Sequence, residues 1–267
     1  MIHTRNKNFR AGAAITLCML ALIFIGFVWT PYDPNAMSAG EKMLSPCFRH
    51  PFGTDNFGRD LFSRVIDGAG STFLIAAAAV AIGLAAGLLI GGLTGWFGGW
   101  VDELLMRLND SITAFPGILL ALVLIAIFGN GRQNIILALG LLFVPSFARL
   151  VRTEVARQKA LDYVRSARLM GATELRILFV HVMPNTLSVL LSAVAIGFNN
   201  AVLAEASMSY LGIGVQPPDA SLGRMLNEAQ GYLLSAPWYA LSTGLAMVLL
   251  VLGFGLLSDG LGGTEDA

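Results

Sequence analysis

The stretch 166-SARLMGATELRILFVHVMPN-185 decides how this chain is read. It carries Arg168, Glu174, Arg176 and His181, with Gly171 in its middle and Pro184 near its end. Apolar runs of bilayer-crossing length lie before and after it. The residues around Gly171 read as two helices. From Val151 to Met170 the composition is helical, with apolar Val151, Val155, Leu161, Val164 and Ala167. Gly171 suits the left-handed residue that ends a helix. Thr173 can cap the next helix, and Glu174 sits well in its positive first turn. That helix, Glu174 to about Val182, puts Leu175, Leu178, Phe179 and Val182 on one side and Arg176 on another. Pro184 then opens the following span, where its missing N–H does no harm. The spacing predicts a short helix across the membrane surface, suited to docking on a partner.

The surrounding chain makes this a membrane surface. Of 267 residues, 55% are hydrophobic and 13% charged, against about 25% charged in soluble domains. The mean hydropathy is +0.70. The fold class expected is all-α and polytopic, with six spans of about 20 residues each. They are placed at Ala11–Trp29, Thr72–Trp96, Ile112–Phe128, Asn134–Phe147, Met183–Leu203 and Pro237–Leu257. The fourth is short because Pro145 and Arg149 close it. The organisation expected is a first tail, span and polar loop over 1–70, a core over 71–260 containing the loop 151–182, and a tail over 261–267. The first span ends in Phe27-Val28-Trp29-Thr30-Pro31, without the small-residue cleavage site of a signal peptide, and reads as an uncleaved anchor.

Charge counting orients the spans. With the N-terminus inside and six crossings, the inner segments hold eleven Lys and Arg and the outer segments six. The positive-inside rule favours both termini in the cytoplasm. Seven of the eleven lie between the fourth and fifth spans, so the opening stretch falls in a cytoplasmic loop. Two polar segments then face outward. One is Pro31–Gly70, with GTDNFGRD at 53–60. The other is Ser207–Ala236, with the turn signal Gln216-Pro217-Pro218-Asp219.

Within the spans, glycines at 83, 87, 91, 95 and 99 recur every four residues. This spacing lets a second helix backbone approach closely. Glu103 and Arg107 have the spacing of a helical ion pair, and Asp110 and Pro116 mark the start and an early kink of the third span. Asn199 and Asn200 fall inside the fifth span. They line a path, or bond two helices together. Glu205 is read as lying at the wet outer end of that span.

The composition excludes much chemistry. Net charge is zero, which gives no electrostatic case for nucleic acid. The two cysteines, Cys18 and Cys47, lie in a span and a loop. The three histidines, His3, His50 and His181, stand apart, so no metal site is indicated. No nucleophile elbow occurs, and no catalytic set is assigned. The three lysines follow Asn6, Glu41 and Gln158, so the chain has no Walker A loop to cradle ATP phosphates. Ser258-Asp259 resembles a helix end.

The central loop resembles the EAA loop of membrane subunits of binding-protein-dependent ABC importers. The family pattern is Glu-Ala-Ala, three residues, Gly, nine residues, Ile-x-Leu-Pro. Here Arg165-Ser166-Ala167 is followed by Gly171 and by His181-Val182-Met183-Pro184. Gly171 and Pro184 match in spacing and Ala167 in type, while Arg165 replaces the glutamate and His181 the isoleucine. Tyr163–Ala172 with His181–Asn185 is most similar to the dipeptide/oligopeptide/nickel branch. So are His50–Asp55 with Gly58-Arg59-Asp60 and Ser63-Arg64, and Ser209–Pro218 with Gly223–Ala229, which are similar to the second permease of that branch. The tail departs, with Gly255–Gly262 lacking the family's terminal arginine.

The resemblance implies a permease subunit without an ATP site of its own. It implies a homologous second permease, two cytoplasmic ABC ATPases that hold ATP and Mg, an extracytoplasmic solute-binding protein, and surrounding lipid of a bacterial or archaeal inner membrane. The coupling residues it implies are Arg165, Ser166, Ala167, Gly171, Ala172, Glu174, Leu175, Leu178, His181 and Pro184. The path is assigned to Asn199, Asn200 and Glu205. The substrate expected is a dipeptide or oligopeptide, with nickel or a metal chelate as the alternative. An ion-coupled secondary transporter is the distant rival, and would need charged groups at span centres, which are lacking here.

Overall fold

The computed structural model describes residues 7–262. Its helices are α1 (Lys7–Val28), α2 (Leu61–Phe97), α3 (Gly99–Thr113), α4 (Gly117–Phe128), α5 (Arg132–Lys159), α6 (Asp162–Leu169), α7 (Glu174–Arg176), α8 (Leu187–Tyr210), α9 (Leu222–Gln230) and α10 (Pro237–Gly262). A π turn (Ile177–Val182) and a 3-10 turn (Met183–Thr186) join α7 to α8. Among the described residues there is no β-strand beyond one isolated bridge, Thr54 with Asp60.

Neighbouring glycines set the helix directions. Gly83, Gly87, Gly91 and Gly95 meet, in that order, Phe143, Phe147, Ala148 and Arg152. Both series rise together, so α2 and α5 are parallel. A Cβ on any of the four would come under 3.0 Å from an α5 atom. The expected stripe is thus the seam between these two helices. Gly99 lies outside it, because α2 ends at Phe97 and positive-φ Gly98 and Gly99 turn the chain into α3.

Parallel α2 and α5 require a return crossing between them. The expected third span, Ile112–Phe128, is not one helix. It breaks at residues 114–116, where α3 and α4 meet at 89°. Alone, α4 is about 18 Å long and cannot cross a core of about 30 Å. The return begins in α3, where Asp102 reaches Arg152 and Asn109 reaches the Pro145 carbonyl, and is completed by α4. Pro116 disfavours a helical residue before it, which places the bend. The pair Glu103–Arg107 does not form among the described residues.

Helices α1 and α10 are antiparallel, since Gly12 meets Leu256 while Gly253 meets Thr16 and Gly260 meets Phe9. The first and last described helices therefore end at the same face of the bundle. This demands an even number of crossings, six with the bent pair counted once.

Several expected boundaries move. The second span starts at Leu61 rather than Thr72. Its first turns carry Arg64, Asp67 and Ser71, and Asp60 caps them by accepting from Ser63 N–H at 2.8 Å. The fourth span continues through Pro145 to Lys159, because Val151 and Val155 carry the buried face onward. The last helix runs past Ser258-Asp259 to Gly262; residues 263–267 of the expected tail lie outside the described residues.

Candidate functional site

Two polar constructions sit at opposite ends of the bundle. The loop end holds residues 160–186, together with the start of α1 and the end of α10. The cap end holds residues 29–60 and 211–236.

At the loop end, α6 stops in a Schellman arrangement. Gly171 has φ +83°. Ala172 N–H bonds the Ala167 carbonyl at 3.1 Å and Gly171 N–H the Arg168 carbonyl at 2.9 Å. Thr173 occupies the next N-cap position but makes no side-chain cap bond, which corrects the expected capping. Glu174 instead reaches back over the elbow. Arg168 grips it with Nε at 2.7 Å and Nη2 at 2.9 Å, and these hydrogen bonds hold the Glu174 carboxyl below its usual range. Arg168 also stacks 5.5 Å over the ring of buried Trp96, and Lys159 lies 5.5 Å over the same ring. Lys159 donates to the Trp96 carbonyl as well.

Under this surface, Trp96, Val151, Val155, Val164, Ala167, Ile177, Leu178, Val182 and Leu190 form one cluster. The buried face of the second helix is therefore Ile177, Leu178 and Val182. Leu175 and Phe179, expected on that face, are about half exposed. The difference arises because the helix is not a separate α-helix. Pro184 has no N–H, so the ladder shifts; Met183 N–H bonds the Leu178 carbonyl, five residues back. The run from Glu174 continues into α8 without interruption, so Pro184 lies within it rather than at its start.

The other assigned residues are exposed or half-exposed: Arg165, paired with Asp162 at 3.3 Å, Ser166, Ala172, His181 and Pro184. Leu169 and Met170 are 90% and 81% exposed beside Gly171. They form an apolar knob on a braced support. Trp96, Lys159 and Arg168 brace the elbow, although no short motif marks them in the sequence.

In the bundle, the three path candidates separate. Asn199, with its amide turned to suit both partners, donates to the Val251 carbonyl at 3.2 Å and accepts from Gly255 N–H at 3.0 Å, tying α8 to α10. Asn200 lines a pocket of about 260 Å³ with Gly117, Ala121, Leu139 and Met208. Glu205 is fully buried, contrary to the wet position expected. It accepts from Ser209 Oγ at 2.6 Å and Thr72 Oγ1 at 3.0 Å. Those hydroxyls accept in turn from Val215 and Leu222 N–H. One carboxylate thus holds both flanks of segment 211–222 against α2 and α8.

The cap end is built from GTDNFGRD. Asp55 binds Arg59 Nε at 2.6 Å, and Asp60 meets His50 Nδ1 at 2.8 Å. From α9, Glu228 accepts from Arg59 Nη2 at 3.2 Å, Arg224 Nε at 3.2 Å and Tyr239 OH at 2.9 Å. Arg64 lies 3.7 Å from Glu228 and 3.6 Å from Asp55. The signature motif is therefore a buried ionic lock between the first loop and α9.

Known proteins share this architecture. A chain of the MetNI methionine ABC transporter, in an inward-facing conformation, superposes with a TM-score of 0.62 at 21% identity, covering 74% of this chain and 94% of that one. An amino acid ABC transporter solved with histidines gives 0.57 at 19%, with 74% and 92% covered. These likenesses show the fold of type I ABC importer permeases. The glutathione transport system permease protein GsiD of Shigella flexneri is 42% identical over 96% of this chain and 86% of its own length. That of Salmonella paratyphi A is 43% identical over 94% and 83%. The model of the binding-protein-dependent transport system inner membrane component matches residues 83–263. Six crossings, a braced elbow between the fourth and fifth of them, and these matches agree: the chain belongs to the family of binding-protein-dependent inner membrane transport components, as a permease subunit of an ABC importer.

Proposed function

We propose that this chain forms one half of the translocation path for short peptides, with glutathione-like tripeptides as the foremost substrate class. Both termini and the loop end lie in the cytoplasm; the cap end faces outside. The pairing with a second permease, two ATPases holding ATP and Mg, and an external binding protein follows the family. Peptide is preferred to nickel because the relatives are named for glutathione, a peptide. Among the described residues, no three His, Cys, Asp or Glu gather as a metal site.

The observation that carries the mechanism is the knob of Leu169 and Met170 on the Arg168–Glu174 brace. An ATPase groove that receives the knob pushes a unit that cannot bend easily. The push enters α5 and α2 through Val151, Val155 and Trp96, and α8 directly through the unbroken run from Glu174. ATP-driven closure then rocks the bundle between outward and inward access, and each substrate affinity changes only as far as the two states differ. The test is reconstitution with the second permease, the ATPases and the binding protein. ATP-dependent uptake of labelled glutathione or dipeptide is expected, with none for nickel. Nickel uptake without peptide uptake would overturn the substrate reading.

A further inference from the structure

The cap end contains a cavity that the transport mechanism above does not use. It has a volume of about 470 Å³, and Met37, Phe57, Arg59, Arg224 and Tyr232 are in its lining, with Pro217-Pro218 as a wall. Arg59 is 3% exposed and Arg224 20% along their side chains. Arg59 spends Nε on Asp55 and Nη2 on Glu228. Arg224 spends only Nε, on Glu228. Among the described residues, Nη1 of Arg59 and both terminal nitrogens of Arg224 have no side-chain acceptor. Glu228 also lines the cavity, but its two oxygens are taken up by Arg224, Arg59 and Tyr239. Asp55 and Glu228 hold Arg59, Arg64 and Arg224 in place. The guanidinium nitrogens left without a side-chain acceptor belong to residues that line a concave, partly desolvated site.

The geometry points to a carboxylate subsite. Guanidinium nitrogens in a fixed fork match a planar carboxylate with paired N–H donors. Phe57, stacked 4.8 Å from the Arg59 guanidinium, holds that group in place, and Tyr232 and the prolines offer apolar walls. The volume lies in the range of small-molecule sites. A single acidic side chain from a docked protein would leave most of it empty, so the ligand is the free carboxylate of the peptide substrate, received as the binding protein releases it. This assignment rests on the reading of the chain as a peptide importer with its cap end outside.

The test uses the complete reconstituted transporter with one fixed preparation of binding protein. Uptake KM is measured for glutathione and for its glycine-amide, and for dialanine and its amide, in wild type, Arg224→Gln and Arg224→Lys. Binding-protein affinity for the transporter is measured beside it. Losing a charge-assisted pair corresponds to about tenfold or more. The expected result is that Arg224→Gln raises KM for the free acids about tenfold, narrows the acid-to-amide ratio, and leaves binding-protein affinity unchanged, with Arg224→Lys intermediate. An unchanged ratio in Arg224→Gln with peptide uptake intact overturns the subsite alone. Loss of binding-protein affinity for acids and amides alike assigns the pocket to docking and also overturns it. If wild type takes up none of the four compounds, the peptide reading fails and the subsite with it.

Discussion

Arg168 and Glu174 face each other across Gly171, joined by two hydrogen bonds of 2.7 and 2.9 Å. The pair is exposed, so it contributes little to global stability. Its consequence is geometric: it fixes the angle at which α6 meets the run into α8. Replacing Glu174 with Gln is expected to leave the melting temperature within about a degree or two and to lower the peptide transported per ATP hydrolysed. The exchange Arg168→Glu with Glu174→Arg is expected to recover part of that ratio. Calorimetry and paired uptake and hydrolysis assays check both.

The same pair has a pH signature. Glu174 is held below its ordinary value by Arg168. A depressed carboxylate contributes fully above its unfolded pKa, near 4.3, and the contribution is lost as pH falls through the lowered folded value. The transport-to-hydrolysis ratio should therefore be flat from about pH 8 to about pH 5 as far as this pair is concerned, measured on wild type against Glu174→Gln.

Gly91 packs where a Cβ would meet the Ala148 carbonyl and Val151. Gly91→Ala therefore overpacks the α2–α5 seam. The expected cost is about 1–3 kcal/mol, seen as a lower melting temperature in detergent. Gly98→Ala is strained by its positive φ, but its Cβ meets nothing within 4 Å. It serves as a control for side-chain packing.

Among the described residues, Glu228 is the only carboxylate that touches all of Arg59, Arg64 and Arg224. Glu228→Ala strands buried guanidinium groups, a change that costs about 3–5 kcal/mol. The variant should be cleaved faster by protease in the loop 29–60 and should assemble poorly. Glu228→Gln, which keeps an acceptor, should lie between it and wild type.

Much of this was legible in the residues. Apolar length located the spans, Gly171 and Pro184 marked the loop, and the four-residue glycine period found the α2–α5 seam. The parts that were not legible depend on partners distant in sequence. Leu61–Ser71 reads as too polar for a span because Glu228, which neutralises Arg64, lies more than 160 residues away. Glu205 reads as wet because Thr72 and Ser209 Oγ, which satisfy it, become its neighbours only once α2 and α8 pack. Leu175 and Phe179 were placed on the buried face by a 3.6-residue period that the π turn at 177–182 breaks. Arg168 was visible only as a charge, since its role needs both Trp96 and the turn at Gly171.

The elbow also separates two kinds of variant. Leu178 is fully buried, so a charge there disrupts the support itself, and Gly171→Pro forces φ from +83° toward about −65°. Leu169 and Met170 touch solvent, and altering them spares the fold. The most direct measurement is ATP-driven peptide uptake by the reconstituted transporter carrying Leu169→Asp with Met170→Asp, alongside the melting temperature of the permease pair. The melting temperature is expected to stay unchanged while uptake falls by roughly tenfold or more. Uptake at the wild-type rate by a properly inserted double variant would show that the Leu169–Met170 knob does not couple the permease to its ATPases.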